Sequence, residues 1–404
     1  MADTETRFAA TDPAIVRELE RYPTIALVLQ GGGALGGYQC GVYERLHAAG
    51  IVPNWLAGIS IGAINAAIIA GSAPDERVQR LRGFWEHISE PAGPLALPAL
   101  GVRTVLAAMP EHHGLLSWSR NLSALGAMVQ GQRGFFRVRT LSPLLFRDGS
   151  DAATSFYDTT PLRETLLRFV DFERINRDRS VRLTVGATSV VTGNFRYFDS
   201  ALEPIRVEHI LASGALPPAF PAVEIDGEPY WDGGVVSNTP LEYILGVHPH
   251  EDTLALQVDL WSARGDRPQS MLEVMERIKD IRYSSRTRHG TQMVEMAQRL
   301  RTALRELIEQ LPERRLPPHL DEALSPWLDD RVFNIIHLIY QAAPHEQESK
   351  DYAFGTIPLK EHWASGMRDM ELTLQRPEYF ALPDRARGVA THDVHRDTRR
   401  RSRS

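Results

Sequence analysis

The sequence has little cysteine and no long uninterrupted apolar run. Cys40 is the single cysteine among 404 residues, so no disulfide can form within the chain, and its place in a predicted helix indicates a small core residue. Residues 1–5 lack the basic and apolar regions of a signal peptide. The longest apolar stretch, residues 57–73, contains too many polar residues and glycines to span a bilayer. These absences predict a cytoplasmic protein, with room for peripheral contact with a membrane.

The sequence also argues against nucleic acid, dinucleotides and P-loop nucleotides as ligands. The formal net charge of −6 argues against nucleic acid. Glycines 31, 33 and 36 fit Gly-x-Gly-x-x-Gly, but no acidic residue lies between Arg45 and Gly71 to bind a ribose. No Gly-Lys-Ser/Thr follows the glycines, which excludes a phosphate-binding P-loop. With no metal-ligand cluster in the sequence either, no cofactor is predicted, and the residues indicate no oligomeric state.

One motif that is present is Gly-x-Ser-x-Gly at residues 58–62, centred on Ser60. This pattern is typical of a nucleophile elbow, a tight turn from a strand into a helix that exposes a serine hydroxyl. Residues 54–59 read as the strand, and residues 61–70 read as an apolar helix that ends at Gly71. The alternative is a core helix with an incidental serine at its cap.

A second glycine-rich block precedes the elbow. The apolar run Thr24–Leu29 predicts a buried parallel strand, and it leads into glycines 31–33 and 36–37 and then a helix over residues 38–49. A glycine loop between a strand and a helix presents backbone amides to an anion. Since the nucleotide motifs are excluded, the oxyanion of a tetrahedral intermediate is the predicted anion.

A base for Ser60 is predicted at Asp232, which ends an aromatic strand segment and precedes Gly233 and Gly234. Burial beside Tyr230 and Trp231 would raise the pKa of this carboxyl group and make it a stronger base. Alternatively, Asp232 is a turn residue of an Asp-Gly hairpin. A triad with a histidine, with candidates His47, His209, His248 and His250, is a second alternative.

In these blocks the chain resembles the patatin-like phospholipases, serine lipid acyl hydrolases with a Ser–Asp dyad. A further block of that family resembles residues 212–221, which include Pro217. The resemblance implies a three-layer α/β fold, with a mostly parallel central sheet and helices on both faces. It also implies an acyl-enzyme mechanism with Ser60 as nucleophile and Asp232 as base. The expected oxyanion donors are Gly31, Gly32, Gly33 and Ile61, with motif support from Gly36, Gly58, Gly62, Pro217, Gly233 and Gly234.

The glycine loop departs from the family at Leu35, where a lysine or arginine is usual. Loss of that cation removes a group that could hold an anionic head group. The substrate is therefore either a lipid ester, as the resemblance implies, or a neutral intracellular ester such as a hydroxyalkanoate oligomer or polyester. A non-catalytic binding protein on the same fold is the third hypothesis.

The chain divides into four expected regions. Residues 1–23 are a lead-in with a helix over 13–21, residues 24–262 are the catalytic domain, and residues 91–138 within it are either a lid or an ordinary insertion. Residues 263–384 form a C-terminal segment with helices over 270–285, 293–310 and 363–374 and a late strand over 333–340. Residues 385–404 carry a local net charge of +5 and are expected to be disordered.

Overall fold

A computed structural model provides the structure of the protein. It describes residues 11–90, 131–248, 250–310, 330–342 and 350–401, together with residues 319, 320, 324 and 328. Most of the predicted lid, residues 91–130, lies outside the described residues.

The fold is organised around a nine-stranded sheet. Its strands are β1 (Thr24–Leu29), β2 (Trp55–Gly58), β5 (Arg182–Ser189), β6 (Phe195–Asp199), β7 (Val223–Ile225), β8 (Glu228–Asp232), β9 (Thr253–Asp259), β10 (Phe333–Ile339) and β11 (Val389–Asp393). The order is β11-β10-β9-β1-β2-β5-β8-β7, with β6 also paired to β5. The six strands from β11 through β10, β9, β1 and β2 to β5 are parallel to one another. Strands β6 and β8 pair antiparallel with β5, and β7 pairs antiparallel with β8. A separate hairpin joins β3 (Arg137–Val138) to β4 (Tyr157–Asp158).

Helices surround the sheet. They are α1 (Pro13–Leu19), α2 (Gly36–Ala48), α3 (Ile61–Ala70), α4 (Arg77–Ser89), α5 (Asp151–Thr154), α6 (Thr160–Phe169), α7 (Phe172–Arg177), α8 (Val207–Ser213), α9 (Leu241–Gly246), α10 (Met271–Glu309), α11 (Thr356–Leu374) and α12 (Val394–Arg401). None of these described helices combines the length and hydrophobicity that a bilayer crossing requires.

Alternate residues of the central strand β1 face two different cores. Leu27 and Leu29 belong to a large apolar cluster with α2, α3 and α4, whereas Ala26 and Val28 belong to a second cluster with α9. This alternation follows from the two-residue period of a strand. The prediction of a mostly parallel sheet between two layers of helices is confirmed.

Two of the predicted C-terminal helices are one. The helices expected over 270–285 and 293–310 form the single helix α10, which runs for 39 residues. The intervening residues contain no proline, and one glycine, Gly290, costs a helix only about 1 kcal/mol. Gly290 also lies where a Cβ atom would be 2.5 Å from Glu242 Oε1. Gly290 therefore allows the close approach of α9 and does not mark the end of a helix.

The last helix before the tail begins earlier than expected. The pattern predicted its start at Trp363, but α11 begins at Thr356 because Pro358 lies in its first turn, where a proline needs no backbone donor. The expectation of disorder over residues 385–404 is wrong for residues 389–401. Val389 and Ala390 are buried in β11, which pairs with β10, and α12 follows directly. The many arginines of this region predict disorder, although the region also contains these apolar residues.

Candidate active site

Ser60 lies at a sharp turn between β2 and α3. Its φ is 55° and its ψ is −124°, a left-handed conformation that costs a non-glycine residue about 1–3 kcal/mol. Helix α3 starts at the next residue, so its positive N-terminal end faces the Ser60 hydroxyl. The local geometry is therefore that of the strained strand–turn–helix that the motif predicts.

The two glycines of the motif allow the turn to pack against backbone. A Cβ atom at Gly58 would lie 2.3 Å from the Gly62 carbonyl group, and one at Gly62 would lie 2.2 Å from the Leu29 carbonyl oxygen. Both distances are far inside van der Waals contact. A side chain at Gly58 would force the turn itself open, and a side chain at Gly62 would push the elbow away from β1.

The carboxyl group of Asp232 lies beside the Ser60 hydroxyl, which favours the charged form of the carboxyl group. Asp232 is the last residue of β8, and its backbone amide donates to the Ala215 carbonyl oxygen at 2.9 Å. The Gly234 amide donates to Asp232 Oδ1 at 2.7 Å. These bonds fix the carboxyl group beside the elbow, although the two residues are far apart in the sequence.

Burial sets the proton affinity of this carboxyl group. The side chain is enclosed, and this burial raises the pKa of Asp232 to about 7. The nearby Ser60 hydroxyl and the hydrogen bond from the Gly234 amide favour the charged form and oppose the shift. At neutral pH the group thus exists in both protonation states in comparable amounts, which suits a group that must accept and return a proton.

The glycine loop lies directly beside Ser60. A Cβ atom at Gly31 would be 3.0 Å from the Ser60 Cβ atom. The Gly31 carbonyl oxygen accepts hydrogen bonds from Asn238 Nδ2 and Trp261 Nε1, both at 2.8 Å. The Gly31 amide donates to the Asn238 carbonyl oxygen at 3.3 Å. The loop is therefore held from both sides, and the amide of Gly31 is already engaged.

Three other amides near Ser60 differ from that of Gly31 because they have no hydrogen-bond acceptor among the described residues. Within the described part of the chain, the amides of Gly32, Gly33 and Ile61 donate to no protein acceptor. Gly33 and Ile61 each begin a helical turn, where the first amides have no partner inside the helix. These three amides therefore remain available to an acceptor, whereas the amide of Gly31 is already engaged.

A pocket of about 870 Å³, including its open mouth, surrounds these groups. Ser60, Asp232 and glycines 31–33 all lie in its lining. Much of the remaining surface is aromatic and comes from Phe135, Phe136, Tyr157, Phe220, Trp261, Tyr283, Tyr352 and Phe354. A concave, mainly apolar pocket with a few convergent polar groups is typical of a site for an apolar ligand.

Several lining residues were not predicted from the sequence. Tyr283, Asp351, Tyr352 and Phe354 belong to the C-terminal segment, more than 200 residues after Ser60. Ser213 lies outside this lining but accepts a hydrogen bond from the Ser60 amide, and the sequence indicates no such role for it within residues 212–221. No local pattern marks these residues, because their roles depend on contacts between distant parts of the chain.

The histidines considered for a triad lie elsewhere. His209 is buried against Phe198 with ring centroids 4.4 Å apart, and burial lowers its pKa to about 4. His47 bonds to the Pro74 carbonyl oxygen, and the rings of His248 and His250 contact each other with centroids 3.9 Å apart and planes tilted by 44°. None of the four is in the described pocket lining.

Solved structures with similarity to the chain include those of VipD and ExoU. VipD from Legionella pneumophila is 16% identical over 85% of this chain and 67% of VipD, with a TM-score of 0.34. The type III effector ExoU is 15% identical over 88% of this chain and 53% of its own, with a TM-score of 0.29. The chain thus spans about half the length of ExoU. With TM-scores below 0.5, this likeness supports no conclusion about the chain.

Family models give a more direct result, while no curated protein matches the chain. The model described as patatin-like phospholipase matches residues 27–245, which contain Ser60, Asp232 and the glycine loop. A second model, described as patatin phospholipase, matches residues 281–386. Because the first match covers more than half of the sequence, the chain belongs to the patatin-like phospholipase family, a family of lipid hydrolases.

Proposed function

We propose that the protein is a serine esterase that cleaves carboxylic esters of lipids through a dyad of Ser60 and Asp232. The observation that carries the proposal is that Ser60 and the buried Asp232 meet in the lining of one aromatic pocket, where the Ser60 hydroxyl favours the charged form of the Asp232 carboxyl group. A serine nucleophile requires a base within hydrogen-bond reach. With a pKa of about 7, Asp232 is a stronger base than an ordinary aspartate.

In the first half of the reaction, Ser60 Oγ bonds to the ester carbonyl carbon while Asp232 accepts the hydroxyl proton. The carbonyl oxygen becomes an oxyanion, for which the amides of Gly32, Gly33 and Ile61 are the proposed donors. Gly31 is omitted from the set because its amide already bonds to Asn238. As the intermediate collapses, the bond to the leaving alcohol breaks and Asp232 returns its proton to the alcohol oxygen.

In the second half, water attacks the acyl group on Ser60 and transfers a proton to Asp232. The same amides receive the new oxyanion. Collapse breaks the bond between the acyl carbon and Ser60 Oγ, and Asp232 returns the proton to Ser60. The products are a carboxylic acid and free enzyme, so atoms and protons balance without a cofactor.

Covalent labelling tests this proposal. A fluorophosphonate probe followed by mass mapping should label Ser60 in the native chain and fail to label Ser60→Ala. Asp232→Asn should be labelled much more slowly. Absence of label on Ser60 in folded protein would point to the non-catalytic binding protein, and full activity of Asp232→Asn would require a histidine base.

A neutral ester is the second candidate substrate, and the pocket gives a specific reason for it. The described lining contains the acidic residues Asp232 and Asp351 but no lysine, arginine or histidine. Leu35, at the family's basic position, is fully buried. A panel of phospholipids, triacylglycerols and hydroxyalkanoate oligomers tests this candidate: an enzyme labelled at Ser60 that cleaves only the uncharged esters supports it.

We also propose a cytoplasmic location with peripheral contact to lipid surfaces. The loop between β3 and β4 exposes 84% of Leu144 and 71% of Leu145, and Tyr157 of the same hairpin lines the pocket. Exposed apolar side chains near a lipid-binding pocket suit such contact. Cosedimentation with phosphatidylcholine vesicles, compared between the native chain and a Leu144→Ser/Leu145→Ser variant, tests the contact.

A further inference from the structure

One wall of the pocket comes from a short segment far from the catalytic motifs. This segment, residues 350–354, begins with the 3-10 helix Lys350–Tyr352 and contributes Asp351, Tyr352 and Phe354 to the pocket lining. It also touches the glycine loop, because a Cβ atom at Gly33 would lie 2.3 Å from the Asp351 carbonyl oxygen. The segment therefore borders both the ester pocket and the proposed oxyanion donors.

Two crossed ion pairs hold the segment to helix α10. Lys279 Nζ lies 3.1 Å from both carboxylate oxygens of Asp351, and Lys350 Nζ lies 2.6 Å from Asp280 Oδ1. Each element thus supplies one lysine followed by one aspartate, and each lysine pairs with the aspartate of the other element. We call this arrangement the lysine–aspartate clasp.

The two lysines of the clasp also contact aromatic rings of the pocket. Lys279 Nζ lies 5.1 Å from the ring centroid of Tyr352, and Lys350 Nζ lies 5.2 Å from that of Trp261. Both distances suit a cation–π contact. The clasp therefore fixes the position of rings that line the pocket as well as the backbone of the segment.

The clasp is partly shielded from water, so its charges depend on each other. The side chains of Lys350, Asp351 and Asp280 are 9%, 14% and 15% exposed. Burial raises the pKa of Asp351, and the nearby Lys279 ammonium opposes that rise. Removal of Lys279 would leave the shielded carboxylate of Asp351 without its ammonium partner, and removal of Lys350 would leave Asp280 with only the more distant Arg277, so either loss weakens the attachment of the segment.

Phe354 extends the same wall into the apolar half of the pocket. Its ring centroid lies 5.4 Å from that of Phe135 and 6.5 Å from that of Trp85. Phe135 in turn lies 6.2 Å from Phe220. An apolar acyl chain gains free energy by burial against such rings, so the position of Phe354 limits the space that the chain can occupy.

We propose that segment 350–354 is the specificity-determining wall of the ester pocket, with Phe354 limiting the acyl chain and the lysine–aspartate clasp acting as the positioning element of that wall. The proposal rests on the proposed function of the same pocket. It assigns a role in substrate selection to the region that follows the catalytic motifs.

The first test replaces Phe354 by alanine and compares p-nitrophenyl dodecanoate with p-nitrophenyl butanoate. Loss of the ring enlarges the pocket, so the kcat/KM ratio of the long to the short ester should rise about tenfold or more. Phe380→Ala is the matched control, since Phe380 is equally buried but outside the described lining. A folded Phe354→Ala variant whose ratio stays within twofold of the native ratio, or falls, overturns the proposal.

The second test reverses the charges of one pair in the clasp. Lys279→Asp and Asp351→Lys should each raise the same ratio at least about fivefold, and the double variant should return it toward the native value. Thermal melting identifies variants that do not fold. If Lys279→Asp does not fold, Lys279→Met is measured in its place. Unchanged ratios in folded single variants overturn the role of the clasp. Fluorophosphonate labelling of Ser60 in every variant separates this failure from failure of the proposed function.

Discussion

The backbone amide of Ser60 donates a hydrogen bond to the hydroxyl oxygen of Ser213, at 3.0 Å. Ser213 is the last residue of α8 and is fully buried, and Gly214 beside it lines the pocket. The bond ties the strained elbow to an element more than 150 residues away. It gives the Ser60 amide a partner that the turn itself does not supply.

Ser213→Ala should reduce kcat/KM for a short p-nitrophenyl ester about tenfold. The substitution leaves a buried amide without an acceptor, at a cost of about 1–3 kcal/mol, and frees the elbow to shift. Ser72→Ala is a suitable control, because the Ser72 hydroxyl is also buried and bonds to a backbone carbonyl oxygen, that of Ile68. Native kinetics in the Ser213→Ala variant would contradict this role.

Asp232→Asn should lower kcat by about 10²–10⁴-fold, the range expected for loss of a general base. The amide oxygen can still accept the bond from Gly234, so the fold should persist. Steady-state kinetics together with circular dichroism distinguish loss of the base from loss of structure. Retention of more than a tenth of the native kcat would rule out Asp232 as the base.

The rate should depend on pH through the same carboxyl group. Only the ionised form of Asp232 accepts a proton, and its pKa is about 7. We therefore expect kcat/KM to rise about tenfold per pH unit below pH 7 and to level off above it. A profile that is flat from pH 5 to pH 8 would be inconsistent with this assignment.

Stability should show the opposite dependence on pH. The folded state keeps a proton on Asp232 up to about pH 7, whereas the unfolded chain releases it near pH 4, so deprotonation between these values disfavours folding. The shift corresponds to about 4 kcal/mol at pH 8. Asp232→Asn removes the cost of deprotonating this carboxyl group, so the melting temperature of the variant at pH 8 should exceed that of the native chain. An equal increase in melting temperature at pH 4 would show that the ionisation of Asp232 is not the cause.

Gly33→Ala should abolish most activity and lower stability. Gly33 has a φ of +56°, and a Cβ atom there would lie 2.3 Å from the Asp351 carbonyl oxygen. Gly50→Ala provides the control, since Gly50 has a φ of +71° but no atom within 4 Å of its Cβ position. The control should lose about 1 kcal/mol of stability and keep its activity. Similar activities in the two variants would show that contact with Asp351 is unimportant.

Local sequence patterns were sufficient for much of the fold. The strand before the glycine loop, the strand–turn–helix at Ser60 and the strand that ends at Asp232 all have short-range signals in hydrophobicity and glycine placement. The late strand at Phe333–Ile339 has the same kind of apolar signal. These elements are recognisable because burial on both faces of a parallel strand demands a continuous apolar run.

Long-range features could not be predicted in this way. The bond from Ser60 to Ser213 and the wall at residues 350–354 depend on tertiary contacts that leave no periodic pattern. The helix runs unbroken through residues 286–292, where Gly290 makes room for the nearby Glu242, a contact that no local pattern indicates. The C-terminal residues 385–404 have a high positive charge, which is typical of disorder, and only a few apolar residues among them pair with β10.

The position of β10 in the sheet bears on how the protein folds and how it can be divided. Strand β9 is buried along all seven residues because β1 lies on one side and β10 on the other. A chain that stopped after β9 would expose a long apolar edge with unpaired amides and carbonyls, which invites aggregation. The two regions that the family models match separately therefore form one cooperative folding unit, and a shortened protein that keeps Ser60 and Asp232 but lacks β10 should be insoluble rather than merely less selective.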